Sequence, residues 1–141
     1  MATLDKDLLA IQEMRDAVSQ ANAAQAAYMQ YSQQQVDSIV KAVADAAFKE
    51  AERLGKMAVE ETGMGIQNHK KMKNEVASRD VYEDIKDLKT VGVIGTDRLK
   101  KVTEIASPFG VIAGIVPTTN PTSTAIFKTL ISLKTRNGLV L

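Results

Sequence analysis

The residues best placed to do chemistry lie in GIVPTTNPTSTAIFKTL, residues 114–130. Thr118, Thr119 and Asn120 stand between Pro117 and Pro121, where an apolar run stops and a segment with helical apolar spacing begins. They bring two hydroxyls and a carboxamide to a helix start, where the first backbone N–H groups lack intrahelical partners. Such a corner can hold a polar ligand. It can equally do no more than begin the helix, because Asn before Pro is an ordinary Ncap and N1 pair. It is not a G-x-G-x-x-G phosphate cradle, since Gly110 and Gly114 precede the turn and none follows it.

Other reactive residue types are sparse. The chain has no cysteine, which excludes disulfides, thiolate metal sites and a cysteine nucleophile within these residues, and no metal site is expected. Ser and Thr are then the remaining hydroxyl nucleophiles, with no general base placed near them. The single histidine, His69, lies in a Lys-rich helical stretch and reads as solvated. Glu60 and Glu61 read as a solvated helix face rather than an acid–base pair. Eighteen basic residues against seventeen acidic ones leave a formal charge of +1, so no field of one sign recruits nucleic acid or a membrane surface. No segment approaches the roughly 18 apolar residues of a membrane span, and MATLDKDLLA lacks the pattern of a leader. The expectation is a soluble cytoplasmic protein.

The elements that must position the corner change character near residue 90. From Leu4 to about Tyr28, Leu8, Ile11, Val18 and Ala21 recur at helical spacing and predict an amphipathic helix. Ser32 followed three residues later by Gln35 has the form of a capping box, ahead of Val36, Ile39, Val40, Val43 and Ala47 on one face. That second helix is expected to reach about Leu54, to weaken or bend at Gly55, and to end at Gly63 and Gly65 after a resumption. A third helical stretch, Asn68 to about Lys86, carries Met72, Val76, Val81, Tyr82 and Ile85 among many charges. Residues 1–89 therefore read as a helical layer.

Beyond Lys89 the pattern turns β-like. TVGVIGT and KKVTEIASP flank the turn GTDRLK and predict a hairpin arm over 90–107. FGVIAGIVP is a continuous apolar run of the kind expected for a strand buried on both faces. The helix from Pro121 ends in Lys134 and Arg136, where cations suit the helix dipole, with Asn137-Gly138 as the expected left-handed stop and LVL as the next strand. Residues 108–141 thus form one strand–helix–strand unit, the opening of a doubly wound parallel sheet. Ligands of such sheets bind at the carboxyl ends of strands, which is where the corner falls. A strand ending at Leu141 and a single such unit suggest an incomplete α/β domain.

SPFGVIAGIVPTTNPTSTAIFKTLISLKTRN and, upstream, YSQQQVDSIVKAVADAAFKEAERLGKMAVEETGMG closely resemble the CoA-acylating branch of the aldehyde dehydrogenase superfamily. The likeness is strongest to the aldehyde dehydrogenase half of bifunctional aldehyde-alcohol dehydrogenases. It implies an aldehyde-dehydrogenase-like α/β fold and NAD-dependent conversion of an aldehyde, usually acetaldehyde, and CoA to acyl-CoA. It further implies that Ile115, Val116, Pro117, Thr118, Thr119 and Asn120 line the NAD site beside the nicotinamide, with Asn120 the oxyanion donor. Typical members carry that Asn two residues after the turn's first proline, where this chain has Thr119; a capping role for Asn120 stays open. The family's nucleophilic cysteine, glycine-rich segment and glutamate lie downstream of this run, so the chain is expected to lack acyl transfer by itself. Homo-oligomerisation, or packing of a non-catalytic paralogue on a full-length subunit, is the implied association.

Overall fold

The computed structural model describes residues 5–141. In chain order they form α1 (Lys6–Tyr28), α2 (Gln33–Lys49), α3 (Ala51–Thr62), α4 (Gln67–Glu75), a π-helical turn (Val76–Asp80), α5 (Val81–Ile85), β1 (Gly92–Asp97), β2 (Val102–Ala106), β3 (Val111–Ala113), α6 (Pro121–Lys134) and β4 (Gly138–Val140). Among the described residues no helix is long and apolar enough to cross a membrane.

The capping box forms as its sequence implies. Gln35 N–H donates to Ser32 Oγ at 3.3 Å, and Ser32 N–H donates to Gln35 Oε1 at 2.9 Å. Val36, Val40 and Ala44 of this helix meet Ala77, Ile126 and Leu130 in one aliphatic core that joins α2, the π turn and α6. The helical layer and the corner's helix therefore share their packing, and each Val, Ile or Leu side chain buried there contributes about 1.5–3 kcal/mol.

Several expectations change where tertiary contacts decide. The expected start at Leu4 lies outside the described residues, and Leu8 and Ile11, two of the apolar residues at helical spacing, are exposed. Helix α1 packs through its C-terminal part, where Gln25 is buried, against β3 and β4. Helix α2 stops at Lys49 rather than Leu54, and α3 passes straight through Gly55. A Cβ on Gly55 would stand 2.8 Å from the Lys71 backbone nitrogen, so this glycine serves the close approach of α4 and not a bend. Gly63, at φ 66°, does end α3 in the left-handed conformation. The third stretch is helical, but its π turn adds a residue to the register. Ala77 and Ser78 consequently face the core while Met72 and Val76 are exposed.

Strands β1 and β2 pair antiparallel in the expected hairpin, with an irregularity between Val93 and Gly95. Asp97 Oδ1 accepts from the N–H groups of Leu99 and Lys100, each at 2.9 Å, and so closes the turn. Most of this arm is exposed. Strands β3 and β4 pair in parallel, Val111 with Gly138 and Ala113 with Val140, around α6. This is the anticipated strand–helix–strand unit. The run FGVIAGIVP is not buried on both faces: β3 covers three residues, and Ile115 is 84% exposed. A strand is enclosed only where neighbours flank both of its edges and faces, and β3 has β4 as its one strand partner among the described residues.

The end of α6 also differs. Arg136, at φ 56°, takes the left-handed position expected of Asn137-Gly138. A Cβ on Gly138 would lie 3.1 Å from Ala21 O, so this glycine admits α1 against β4. Asn137 Oδ1 accepts from the N–H groups of Phe109 (2.7 Å) and Gly110 (3.0 Å), stapling the entry of β3 to the exit of α6. Lys134 is 2% exposed, with Nζ 2.6 Å from Asp37 Oδ1 and 2.7 Å from Lys86 O; its partners are a carboxylate and a carbonyl, not its own helix end.

Candidate functional site

The corner lies just past β3. Gly114 N–H donates to Val140 O at 2.7 Å, the last bond of the parallel pairing, after which the chain leaves the sheet. Asn120 N–H donates to Pro117 O at 3.2 Å and closes a turn over Pro117–Asn120; Thr124 N–H donates to Asn120 O at 3.2 Å and opens α6. Pro121 occupies the first helical turn, where its missing N–H costs nothing. Just past the carboxyl end of β3, Ile115, Val116, Pro117, Thr118 and Thr119 are exposed and Asn120 is half-buried; of the six, Thr119 and Asn120 line the hollows described below.

Asn120 stands at the N-cap position, yet its side chain makes no cap hydrogen bond. Its Oδ1 instead accepts from Lys73 Nζ at 2.8 Å, and its Nδ2 reaches Thr119 Oγ1 only at 3.5 Å. The turn is gripped from α4 at two further points. Lys70 Nζ donates to Thr119 O, and Thr122 Oγ1 donates to Asn74 Oδ1 at 2.8 Å. Asn74 is fully buried and its Nδ2 donates to Ala51 O at 3.0 Å, which ties the corner through α4 to the start of α3. Lys70 is 6% exposed, a degree of burial that a cation tolerates only with polar partners.

Two hollows meet at Asn120. One, of about 680 Å³, is lined by apolar Met72, Val76, Val81 and Phe127 together with Lys73 and Asn120. The other, of about 400 Å³, includes Met64, Gly65, Lys70 and Thr119 and shares Lys73, Asn120 and His69 with the first. His69 is exposed, as the Lys-rich stretch implies, though it sits at this junction. Glu60 and Glu61 are exposed, and Glu60 pairs with Lys56 at 3.7 Å, away from the corner.

Lys70, Lys73 and Asn74 escape a reading of the sequence for reactive motifs, because each looks like part of a solvated helix. A signal is nonetheless present. QNHKKMKNE has Met72 as its one large apolar residue, so a helix of this composition that packs between α3 and α6 must do so through polar groups at i, i+3 and i+4.

Comparison with known proteins agrees with this architecture. Residues 8–141 match the aldehyde dehydrogenase family. The chain is 50% identical over 130 residues to the bifunctional aldehyde-alcohol dehydrogenase of Escherichia coli (strain K12), covering 92% of this chain and 15% of that protein. It superposes on an acetylating aldehyde dehydrogenase from Geobacillus thermoglucosidasius with a TM-score of 0.95 and 51% identity, over 97% of this chain and 30% of that one. A probable aldehyde dehydrogenase from Listeria monocytogenes EGD-e gives a TM-score of 0.94 and 54% identity, over 96% and 30%. The chain thus spans under a third of the length of each. With fold and sequence in agreement over nearly all of its residues, the chain belongs to the aldehyde dehydrogenase family, and its likeness runs to the acylating members.

Proposed function

We propose that this chain supplies the nicotinamide-side wall and supporting helices of an NAD-dependent acylating aldehyde dehydrogenase. The reaction is acetaldehyde + CoA + NAD⁺ to acetyl-CoA + NADH + H⁺, run in either direction. Residues 1–89 act as the helical support, 90–107 as a pairing arm and 108–141 as the opening of the dinucleotide-binding sheet. The observation that carries this reading is the exposed turn Pro117–Asn120 at the carboxyl edge of a parallel strand pair, with a side-chain amide that caps nothing.

The residues present fit such a ligand. Exposed Ile115 and Val116 offer apolar surface beside Thr118, Thr119 and Asn120, which suits an aromatic ring bearing a polar substituent. NAD, when bound, accepts a hydride from the substrate carbon. The chain's own part is to bind and orient: the turn shapes the surface, and Asn120 Nδ2 donates to the oxygen on which negative charge develops. No residue here supplies the thiolate that the chemistry requires, so the nucleophile comes from outside these residues. The arm's exposed faces and free edges favour pairing with further copies or with full-length subunits, in the cytoplasm.

The test is an exchange enzyme, in which this chain replaces the matched segment of the Geobacillus thermoglucosidasius acetylating aldehyde dehydrogenase. NADH is expected to form only when acetaldehyde, CoA and NAD are all present, while the isolated chain yields none above blank. A folded exchange enzyme that is silent, or turnover by the isolated chain, would overturn the proposal.

A further inference from the structure

Asn120 is met on its oxygen side by a group that can only donate. Lys73 Nζ lies 2.8 Å from Oδ1, and an ammonium has three donors and no acceptor. The two ends of a carboxamide are nearly identical in shape, so hydrogen-bond partners decide which way it points. Here the flipped arrangement would set NH₂ against the NH₃⁺ of exposed Lys73, with donors facing donors, and is disfavoured. With Oδ1 held, Nδ2 turns away from the ammonium and keeps only the long 3.5 Å approach to Thr119 Oγ1. A cation at the oxygen end also draws electron density from the amide and strengthens its N–H groups as donors.

We propose that Lys73 is a positioning residue that fixes the flip of Asn120, so that the side-chain N–H₂ and not the carbonyl faces the reacting oxygen. Lys70, one helical turn earlier on the same face, holds the preceding residue through Thr119 O. Gly65, at φ 84°, leaves room for the Lys70 stem, since a Cβ there would stand 3.0 Å from Lys70 Cε. Two ammonium groups thus fix two consecutive residues of the turn. The catalytic part of this inference rests on the proposed acylating function; the pairing of Lys73 with Asn120 does not.

Two measurements test it. In the chain itself, ¹⁵N NMR of the Asn120 side-chain amide is recorded for the native sequence, Lys73→Met, Lys73→Arg and Lys73→Glu. The Asn120 signals are expected to move in Lys73→Met, and most in Lys73→Glu, whose carboxylate accepts from Nδ2 and turns the amide over. Signals unmoved by Lys73→Met would overturn the pairing. In the exchange enzyme, kcat is expected to fall about tenfold for Lys73→Met and about 10²-fold for Lys73→Glu, since full loss of one oxyanion donor costs about 10²–10³. Lys73→Arg, which keeps the donors, should stay within about threefold, and KM for NAD should change by less than about twofold throughout. A kcat that ignores the order Arg, Met, Glu, or a loss carried by KM alone, would overturn the positioning role. If the unaltered exchange enzyme is silent, the functional reading fails separately, and the amide signals still decide the pairing.

Discussion

Polar side chains that tie one element to another fix the geometry of this molecule, and half-buried Tyr28 shows how. Its hydroxyl donates to Leu133 O at 3.1 Å, joining the end of α1 to the end of α6. Burial pushes the phenol from its ordinary 10.0 up to about 12; the neighbouring Tyr31 adds to the rise and Arg136 opposes it. The folded state therefore holds the neutral form, whereas an unfolded chain ionises from about pH 10. The stabilisation is present in full below pH 10 and is lost as pH climbs through about 12. Tyr28→Phe should cost about 1 kcal/mol at neutral pH through the missing hydrogen bond. Between pH 10 and 12 the variant should lose less stability than the native chain, as followed by urea unfolding across that range. Parallel pH profiles for the two proteins would show that the phenol does not titrate as described.

Elements are held at separations that their glycines permit. Helices α3 and α4 meet across Gly55, and a methyl there would press on the Lys71 backbone nitrogen at 2.8 Å, where no rotamer change can give way. Alanine is better than glycine by about 1 kcal/mol inside a helix, yet overpacking against backbone costs about 1–3 kcal/mol. Gly55→Ala is expected to lower Tm by several degrees, about 4 °C per kcal/mol for a chain of this size; a raised Tm in thermal unfolding would contradict the close packing. This glycine marks what the sequence conceals. The capping box at Ser32, the left-handed stop at Gly63, the hairpin and the strand–helix–strand unit all follow from signals within a few residues, and each was legible. Gly55 and Gly138 read locally as a bend and a stop because the backbone that each admits comes from another element. The π turn hid the inward faces of Ala77 and Ser78 for a related reason, since one added residue breaks the helical period. At the site, residue types alone left the corner open between a polar site and a plain helix start, and the grip of Lys70, Lys73 and Asn74 depends on α4 lying against α6.

At the scale of the whole molecule, one aliphatic core ties the helices to α6, and α6 begins at the turn that carries Asn120. The corner is thus built from both ends: β3 delivers it and α4 holds it. Ile115, Phe109 and most of the arm are exposed among the described residues. What separates a working corner from a mere helix start is whether the Asn120 amide acts on substrate or on backbone. The most direct measurement is kcat and Tm of the exchange enzyme carrying Asn120→Ala. An oxyanion donor predicts a fall in kcat of about 10²-fold or more with Tm nearly unchanged. Turnover within about twofold of the unaltered exchange enzyme, with a stability loss near the 1 kcal/mol of a lost cap, would contradict it.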